Sequence, residues 1–318
     1  MNKRHNRALV FLVLCLLFSG SQVGFSEGRE LFSPHHVALL RSVRSAVVTQ
    51  DRRKIAYLLS VPRNPFKEED GPPWSQLYVA YASGRSRPFI TGRVNITDIG
   101  YRPGSREITF LSCRDGDSTV CLYSIALDGG EARKLLRHKT DIKSYSFSPD
   151  GSKLCFLAPE PFSDKEIRYR ELGFNQIVFE EDQKPLHLWI ASLKDNFKKR
   201  IDLPGSVSLG LFSPDGRFLA VVTAPTPLID DWYVRRRISI VDLDTGKVVQ
   251  KIPNPGKLGQ VSWSPNGRYL AFISAKDIHD PREGRLMIAE IPGGGGFHDL
   301  MPHYEAHIRA FRWLDSNT

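Results

Sequence analysis

Short runs of alternating apolar and polar residues, separated by turn residues, make up most of the chain. This two-residue period is typical of half-buried β-strands. One apolar core recurs five times, as KIAYL, EITFL, KLCFL, FLAVV and YLAFI, which begin at Lys54, Glu107, Lys153, Phe218 and Tyr269. Successive copies are 53, 46, 65 and 51 residues apart. A period of about 50 residues indicates an array of repeated structural units.

Each unit has the pattern of two consecutive hairpins. In the first, a strand ending in an aromatic residue is followed by a Ser-Pro-Asp/Asn-Gly turn, as at residues 148–151, 213–216 and 264–267. Proline presets φ at the first central turn position, and glycine accepts the positive φ that other residues resist. The second hairpin has its own turn residues, such as those at 128–130 and 244–246. Four strands in each unit of about 50 residues predict a β-propeller.

The pattern therefore predicts an all-β chain of four-stranded blades, with five blades plus the start of a sixth, in a truncated or open ring. The predicted blades span about residues 46–92, 93–138, 139–204, 205–254 and 255–307, with a partial blade at 308–318. Before them, a segment at 27–45 contains a predicted short helix, Ser33–Ser45, with Ser33 as its N-cap and Pro34 at its first position.

The first 26 residues have the layout of a secretory signal peptide. Lys3, Arg4 and Arg7 precede an apolar run, Ala8–Phe18, and small residues follow up to Ser26. Such a run is short for a membrane span, so the pattern predicts export with cleavage near Ser26. The mature protein would then be periplasmic or extracellular. The alternative is an uncleaved N-terminal anchor, which would attach the protein to a membrane.

Composition and charge narrow the function classes. With 41% apolar and 25% charged residues, the chain is a globular protein and not a disordered one. Removing residues 1–26 lowers the formal charge from +9 to +6, and the remaining Lys and Arg are scattered. This distribution argues against nucleic acid as a partner. No cofactor is expected: in the HYEAH stretch, Glu305 is misplaced for a zinc site between His303 and His307, and Gly293–Gly296 lacks the Lys and helix of a phosphate loop.

Three cysteines lie beyond the predicted signal peptide. Cys113 and Cys121 flank a turn and are predicted to face each other across two antiparallel strands. Export to an oxidising compartment would permit a disulfide between them. The alternative is a pair of separate thiols, and both alternatives remain open at this stage.

Three passages together resemble the N-terminal propeller of the prolyl oligopeptidase family, closest to its acylaminoacyl-peptidase branch, and TolB-like propellers. They are LFSPHHVALLRSVRS with its continuation to residue 79, RSRPFITGRVNITDIGYRPGSREITFL, and HKTDIKSYSFSPDGSKLCFLAPEP with the following GFNQIVFEEDQKPLHLWIASL. The resemblance covers essentially residues 30–316. It implies a serine peptidase in which an α/β-hydrolase domain follows the propeller and the propeller restricts access to short peptides. The hydrolase G-x-S-x-G pattern occurs only as GFSEG at residues 24–28, at the end of the predicted signal peptide and ahead of the propeller, so no catalytic residue is assigned.

The sequence then favours the non-catalytic propeller portion of an exported peptidase, gating or binding peptide substrate for a hydrolase domain that this sequence lacks. The alternative is a stand-alone, TolB-like periplasmic propeller that binds a protein or peptide partner. The single strand predicted for the last blade favours the first interpretation, because an unpaired strand edge needs a covering partner.

Candidate substrate-binding residues lie in long insertions between the second and third strands of two blades. In the dipeptidyl-peptidase branch an acidic pair on a propeller insertion holds the substrate's amino terminus, which suggests a similar role for Glu180, Glu181 and Asp182. Blade assignment does not match that branch clearly, and the alternative is a solvated acidic loop. The second insertion offers Asp230, Asp231, Trp232 and Tyr233. The alternative there is a surface hairpin with Trp232 packed on the next blade.

Overall fold

The computed structural model describes residues 31–49, 51–114, 116–195, 197–280, 282, 284–294 and 296–315. The predicted signal peptide lies outside the described residues. The described residues divide into two compact units, one of residues 31–40 and 62–71 and the other made of the described residues in 41–61 and 72–315. In the part of the chain that the structure describes, no helix is long and apolar enough to cross a membrane.

The smaller unit contains one short helix, α1 (Pro34–Ala38). The backbone N–H of Ser33 donates to His36 Nδ1 at 3.1 Å at the start of α1. The predicted helix over Ser33–Ser45 is therefore too long, because residues from Ser42 onward form a strand. The β-branched residues Val43, Val47 and Val48 favour this extended conformation, and an antiparallel neighbour supplies its backbone hydrogen bonds.

The larger unit consists of five four-stranded antiparallel sheets, which we call blades 1 to 5. Within each blade the strands lie side by side in chain order. Blade 1 comprises β1 (Ser42–Val48), β2 (Lys54–Val61), β3 (Trp74–Tyr81) and β4 (Ser86–Ile90). Blade 2 comprises β5 (Ile96–Tyr101), β6 (Glu107–Ser112), β7 (Cys121–Ala126) and β8 (Arg133–Leu136). Blade 3 comprises β9 (Ser144–Phe147), β10 (Lys153–Pro159), β11 (Leu186–Ser192) and β12 (Lys198–Ile201). Blade 4 comprises β13 (Ser206–Phe212), β14 (Phe218–Ala224), β15 (Arg237–Asp242) and β16 (Lys247–Ile252). Blade 5 comprises β17 (Leu258–Trp263), β18 (Tyr269–Ser274), β19 (Arg285–Glu290) and β20 (His298–Asp299). The predicted all-β class and the four strands per unit are confirmed.

The core lies between the faces of successive blades. Four clusters of buried apolar side chains join blade 1 to 2, 2 to 3, 3 to 4 and 4 to 5. Leu111 of β6 and Phe156 of β10, for example, share the cluster between blades 2 and 3 and are fully buried. Burying one such side chain stabilises the fold by about 1.5–3 kcal/mol. Among the described residues, no cluster of this kind joins blade 5 to blade 1.

The turn between the first and second strands has the same hydrogen bonds in blades 1, 3, 4 and 5. In blade 3, the Ser148 hydroxyl donates to Asp150 Oδ1 at 2.6 Å and accepts the Lys153 N–H at 2.9 Å. The hydrogen bonds that the Asp150 carboxylate accepts from Ser148 and Ser152 hold its pKa well below its usual range. The same hydroxyl-to-side-chain hydrogen bond occurs in the other three turns, between Thr49 and Asp51, Ser213 and Asp215, and Ser264 and Asn266. The recurring Ser-Pro-Asp-Gly motif therefore forms a turn that is held by hydrogen bonds from its own Ser and Asp side chains.

These turns also touch one another from blade to blade. Gly151 has φ +66°, and a Cβ built on it would lie 2.3 Å from the carbonyl oxygen of Pro103 in the blade 2 turn. Cβ atoms built on Gly216 and Gly267 would lie 3.6 Å and 3.4 Å from a proline Cδ in the turn of the preceding blade. Each of these turns therefore requires glycine because of its positive φ, and in blade 3 the neighbouring backbone also leaves no room for a Cβ.

The two ends of the blade array differ from its middle. Every residue of β1 except Val47 is exposed, whereas the first strands of the other blades are mostly buried or half-buried. Residues 308–313, predicted to start a sixth blade, do not form a strand. They nevertheless lie along β17: the Gln260 side chain donates to Phe311 O at 3.0 Å and accepts the Phe311 N–H at 3.1 Å. Whether the ring is open stays a prediction.

Trp313 repeats a contact that joins blades 4 and 5. The indole N–H of Trp263 donates to the Leu211 carbonyl of β13 at 3.1 Å. The indole N–H of Trp313 approaches the Ser262 carbonyl of β17 at 3.5 Å in the same way, one unit further along the chain. Trp313 therefore lies against blade 5 as the first strand of a following blade would.

Both cysteines of the suggested pair are free thiols in the structure. Cys121 is opposite Ser112 in the strand register, so Cys113 lies one position beyond the pair. The Cys113 thiol instead donates to the Asp117 carbonyl at 3.1 Å. Burial raises the pKa of Cys121, and it raises the pKa of Cys155 to about 12. These two thiols are therefore protonated and unreactive at neutral pH.

Candidate functional site

The candidate residues lie on the connections between the second and third strands of blades 3 and 4. In a four-stranded antiparallel sheet, this connection is at the opposite end from the Ser-Pro-Asp-Gly turn. The blade 3 insertion spans residues 160–185, the blade 4 insertion 225–236, and blade 5 has a shorter one at 275–284. The fold therefore brings the three insertions to the same end of neighbouring blades.

The blade 3 insertion begins with a capped helix, α2 (Asp164–Glu171). The Ser163 hydroxyl accepts the Glu166 N–H at 3.3 Å, and Glu166 Oε2 accepts the Ser163 N–H at 2.7 Å. Lys184, near the other end of the insertion, donates to Glu166 Oε1 at 2.5 Å. This bond and those from Ser163 lower the pKa of Glu166 to about 2. The two ends of the insertion are thus joined through one carboxylate.

The predicted acidic residues Glu180, Glu181 and Asp182 form an exposed turn in this insertion. Asp182 Oδ2 accepts the Val178 N–H at 2.8 Å, and the Glu181 and Asp182 N–H groups donate to Val178 O at 3.2 Å each. Glu180 has φ +65°, in the left-handed region. The Asp182 side chain therefore shapes the turn, whereas the Glu180 side chain makes no ion pair among the described residues.

The blade 4 insertion forms a helix, α3 (Ile229–Val234), where a surface hairpin was the alternative interpretation. Asp231 is buried. Its carboxylate accepts a hydrogen bond from Thr226 Oγ1 at 2.7 Å and forms an ion pair with Arg235 at 3.1 Å. These two contacts hold α3 on its own loop. Trp232 and Tyr233 are 43% and 51% exposed, and the Arg236 guanidinium lies 4.2 Å from the Trp232 ring centroid.

A cleft of about 960 Å³ brings residues of all three insertions together. Its lining consists of Glu180, Pro225, Thr226, Leu228, Asp230, Asp231, Val234, Arg235, Arg237 and Ile278. Of the predicted residues, Glu180, Asp230 and Asp231 line this cleft, and Glu181, Asp182, Trp232 and Tyr233 do not. Asp182 lines a separate cavity of about 520 Å³ within the blade 3 insertion.

Charges of both signs face the cleft. The carboxylates of Glu180 and Asp230 have no ion-pair partner among the described residues, whereas Asp231 is paired with Arg235. Arg237 donates only to backbone carbonyls, those of Val234 at 3.0 Å and Arg236 at 2.8 Å, and burial lowers its pKa. The cleft therefore offers two unpaired carboxylates and one guanidinium without a carboxylate partner. This arrangement suits a zwitterionic ligand.

Arg237 and Ile278 were missed by the sequence reasoning. Arg237 is the first residue of β15, and its charge in the run VRRR was a signal that it faces the insertion end of the blade. Ile278 is an apolar residue that is 51% exposed in a polar loop, and it had no recognisable pattern. His303, Glu305 and His307 are exposed in the segment after β20, and the described residues contain no group of three or more metal-binding side chains.

The five packed four-stranded blades give the chain a β-propeller fold. No family model matches the chain. A curated relative from Bacillus subtilis strain 168, the uncharacterized peptidase YuxL, is 27% identical over 207 residues, which is 60% of this chain and 31% of the relative. The chain thus spans about a third of the length of the curated relative that it matches.

Solved structures share the same fold. Acylaminoacyl peptidase from Pyrococcus horikoshii matches with a TM-score of 0.58 and 13% identity, over 85% of this chain and 40% of that chain. A TolB-like protein from Agrobacterium tumefaciens matches with a TM-score of 0.51 and 16% identity, over 81% of this chain and 80% of that chain. At these identities the likeness shows the propeller fold alone.

Proposed function

We propose that this chain is the non-catalytic propeller portion of an exported serine peptidase similar to acylaminoacyl peptidase, and that it binds peptide substrate at the cleft between the insertions of blades 3, 4 and 5. The observation that carries the proposal is the convergence of three successive insertions on one cleft with charges of both signs. The match to a curated peptidase over 60% of the chain supports the same assignment.

A short peptide fits the chemistry of this cleft. In this proposal the carboxylates of Glu180 and Asp230 accept hydrogen bonds from an α-ammonium group, and Arg237 donates to a carbonyl or carboxylate. The volume of about 960 Å³ is near the top of the range of ligand pockets. Asp231 is already paired with Arg235, so in this proposal it holds α3 in position and does not bind the α-ammonium group.

The outer surface of the blade 3 insertion supports a covering domain. Leu172, Phe174, Ile177 and Phe179 are 64%, 62%, 80% and 77% exposed. Large apolar side chains with this much exposure, close together in the sequence, are typical of an interaction site. We assign this surface to an α/β-hydrolase domain, which would close over the insertion end of the propeller and leave the cleft as the route for short peptides.

Export completes the proposal. The signal-peptide pattern of residues 1–26 supports a periplasmic or extracellular protein. Edman sequencing or mass spectrometry of the secreted protein would give an N-terminus near residue 27. Recovery of the protein with Met1 intact from the membrane fraction would instead identify an anchor.

Binding of labelled tripeptides to the full chain tests the role of the cleft. Fluorescence anisotropy would compare a peptide with a free amino terminus with its N-acetylated form. We expect the free amine to bind more tightly, and Glu180→Gln and Asp230→Asn each to weaken it about fivefold, as for a solvent-accessible charge pair. Glu181→Gln is the matched control, because Glu181 lies in the same turn but outside the cleft. Equal binding of both peptides, or an equal effect of Glu181→Gln, would refute the role of the cleft.

One observation favours a second function, a stand-alone propeller that binds a protein partner. The match to the TolB-like structure covers 80% of that chain, which leaves little room there for a further domain. The DNA beyond the codon for Thr318 distinguishes the two functions. An in-frame G-x-S-x-G domain supports the peptidase, and a stop codon followed by an unrelated gene supports the stand-alone propeller.

A further inference from the structure

A second cavity, of about 540 Å³, lies between blades 2 and 3 and shares no lining residue with the peptide cleft. Its lining consists of Arg137, His138, Lys139, Pro159, Glu160, Pro161, His187, Trp189, Lys198 and Arg200. Two arginines, two lysines and two histidines thus line the pocket together with one carboxylate. We call this group the basic pocket.

Strand register explains how these side chains meet. His187 and Trp189 are two residues apart on β11, so both side chains project from the same face of blade 3. Arg200 of β12 is directly opposite Trp189, and Lys198 is two residues away on the same face. His138, from the connection that follows β8, packs on the Trp189 ring with centroids 4.7 Å apart. The pocket therefore has an aromatic floor and a cationic rim.

Two buried nitrogens at this pocket lack hydrogen-bond partners among the described residues. They are Trp189 Nε1 and His187 Nε2. Indole N–H is a donor only, so it requires an acceptor. The Glu160 carboxylate is 3.9 Å from His187 Nε2, which is too far for a hydrogen bond. An unsatisfied buried polar group is unfavourable, and an acceptor brought by a ligand would satisfy it.

Burial and neighbouring cations lower the pKa of both histidines in the pocket. Burial lowers the pKa of His138, and the charges of Lys198 and Lys139 lower it further. Burial also lowers the pKa of His187, with Arg200 adding to the effect and Glu160 and Asp202 opposing it. Burial and the neighbouring cations therefore both disfavour the imidazolium form of these two histidines, and Glu160 and Asp202 oppose this effect only at His187.

We propose that the basic pocket binds a tetrahedral oxyanion, a phosphoryl or sulfuryl group that is either free or part of a larger molecule. Lys198 already donates to the Arg137 carbonyl at 2.8 Å, which fixes its ammonium group at the rim with two further protons to donate. Arg200 also lines the pocket, and its guanidinium is 3.9 Å from the exposed carboxylate of Asp202. The oxyanion sits on this rim, and a small shift of rim side chains lets its oxygens reach the indole and imidazole nitrogens.

Isothermal titration of the full chain with inorganic phosphate tests the proposal. We expect saturable binding with a dissociation constant on the order of 1 mM. Lys198→Gln and Arg200→Gln should each weaken it about tenfold, because each removes a charge-assisted hydrogen bond. Lys199→Gln is the matched control, since Lys199 lies between them on the opposite face and does not line the pocket.

Two further measurements separate a built site from general attraction to a basic surface. Phosphate should raise the pKa values of His138 and His187 in an NMR titration, because an anion stabilises the imidazolium form. Trp189→Phe, which keeps the ring and removes the N–H, should weaken binding about threefold while the two histidine resonances still shift. Absence of saturable binding, an equal loss in Lys199→Gln, or acetate binding as tightly as phosphate would overturn the proposal.

The larger molecule is identified by comparing phosphate with sulfate and with phenyl phosphate. The aromatic floor predicts tighter binding of phenyl phosphate, through contact with Trp189 and His138. Weaker binding of phenyl phosphate than of inorganic phosphate would overturn that part of the proposal and leave a free inorganic anion as the ligand. None of these results depends on peptide binding at the other cleft, so failure of one proposal is distinguishable from failure of the other.

Discussion

The contact between the turns of blades 2 and 3 makes a quantitative prediction for Gly151→Ala. Gly151 has φ +66°, and a residue with a Cβ loses about 1–2 kcal/mol in this region of backbone conformation. The new Cβ would lie 2.3 Å from the Pro103 carbonyl oxygen, which is closer than any ordinary contact. Relieving it requires a backbone shift, and such overpacking costs about 1–3 kcal/mol. We therefore expect the free energy of unfolding to fall by about 2–5 kcal/mol.

Gly216→Ala is the matched control for this substitution. Gly216 occupies the same position of the same motif with φ +74°, but its Cβ would meet only Pro149 Cδ at 3.6 Å, an ordinary contact. It should lose about 1–2 kcal/mol from the backbone conformation alone. Urea unfolding of both variants, followed by circular dichroism, measures the difference. Equal losses in the two variants would show that the turns of blades 2 and 3 are not in contact.

Three further predictions follow from local contacts. Lys184→Gln should raise the pKa of Glu166 from about 2 towards its ordinary value, which NMR can measure. The ionised Glu166 stabilises the fold until it is protonated, so on acidification the variant should lose this stabilisation at a higher pH than the wild type. In a Cys15→Ser background, a thiol reagent should modify one thiol of the native protein quickly, and Cys113→Ser should abolish this phase. Gln260→Ala should release the segment beside β17 and speed tryptic cleavage at Arg309 about tenfold, and unchanged cleavage would contradict the pairing.

The blade architecture could be predicted because its signals are local and repeated. A Ser-Pro-Asp-Gly turn specifies its own hydrogen bonds within six residues, as in Ser148–Lys153, so the sequence alone marks each hairpin. The N-terminal helix was predicted too long because residues 42–45 contain a single β-branched residue, Val43, which is a weak strand signal by itself. Their conformation depends on pairing with β2, which a local pattern does not contain.

The candidate site was predicted only in part for the same reason. The insertions were recognisable as long connections, and Glu180, Asp230 and Asp231 do meet in one cleft. The sequence did not distinguish these residues from Glu181 or Asp182, since the direction of each side chain depends on turn geometry. The basic pocket had no sequence signal, because it joins residues of four separate segments between two blades.

The contacts between successive turns have a consequence for how such a protein can evolve. From blade 2 to blade 5, the proline of one turn lies beside the glycine of the next turn, as Pro149 does with Gly216 and Pro214 with Gly267. A duplicated or deleted repeat therefore brings or removes a matching pair of contact residues, and both new junctions have the residues they need. The number of blades can change by whole units in a single genetic event without a second, compensating mutation at the junction.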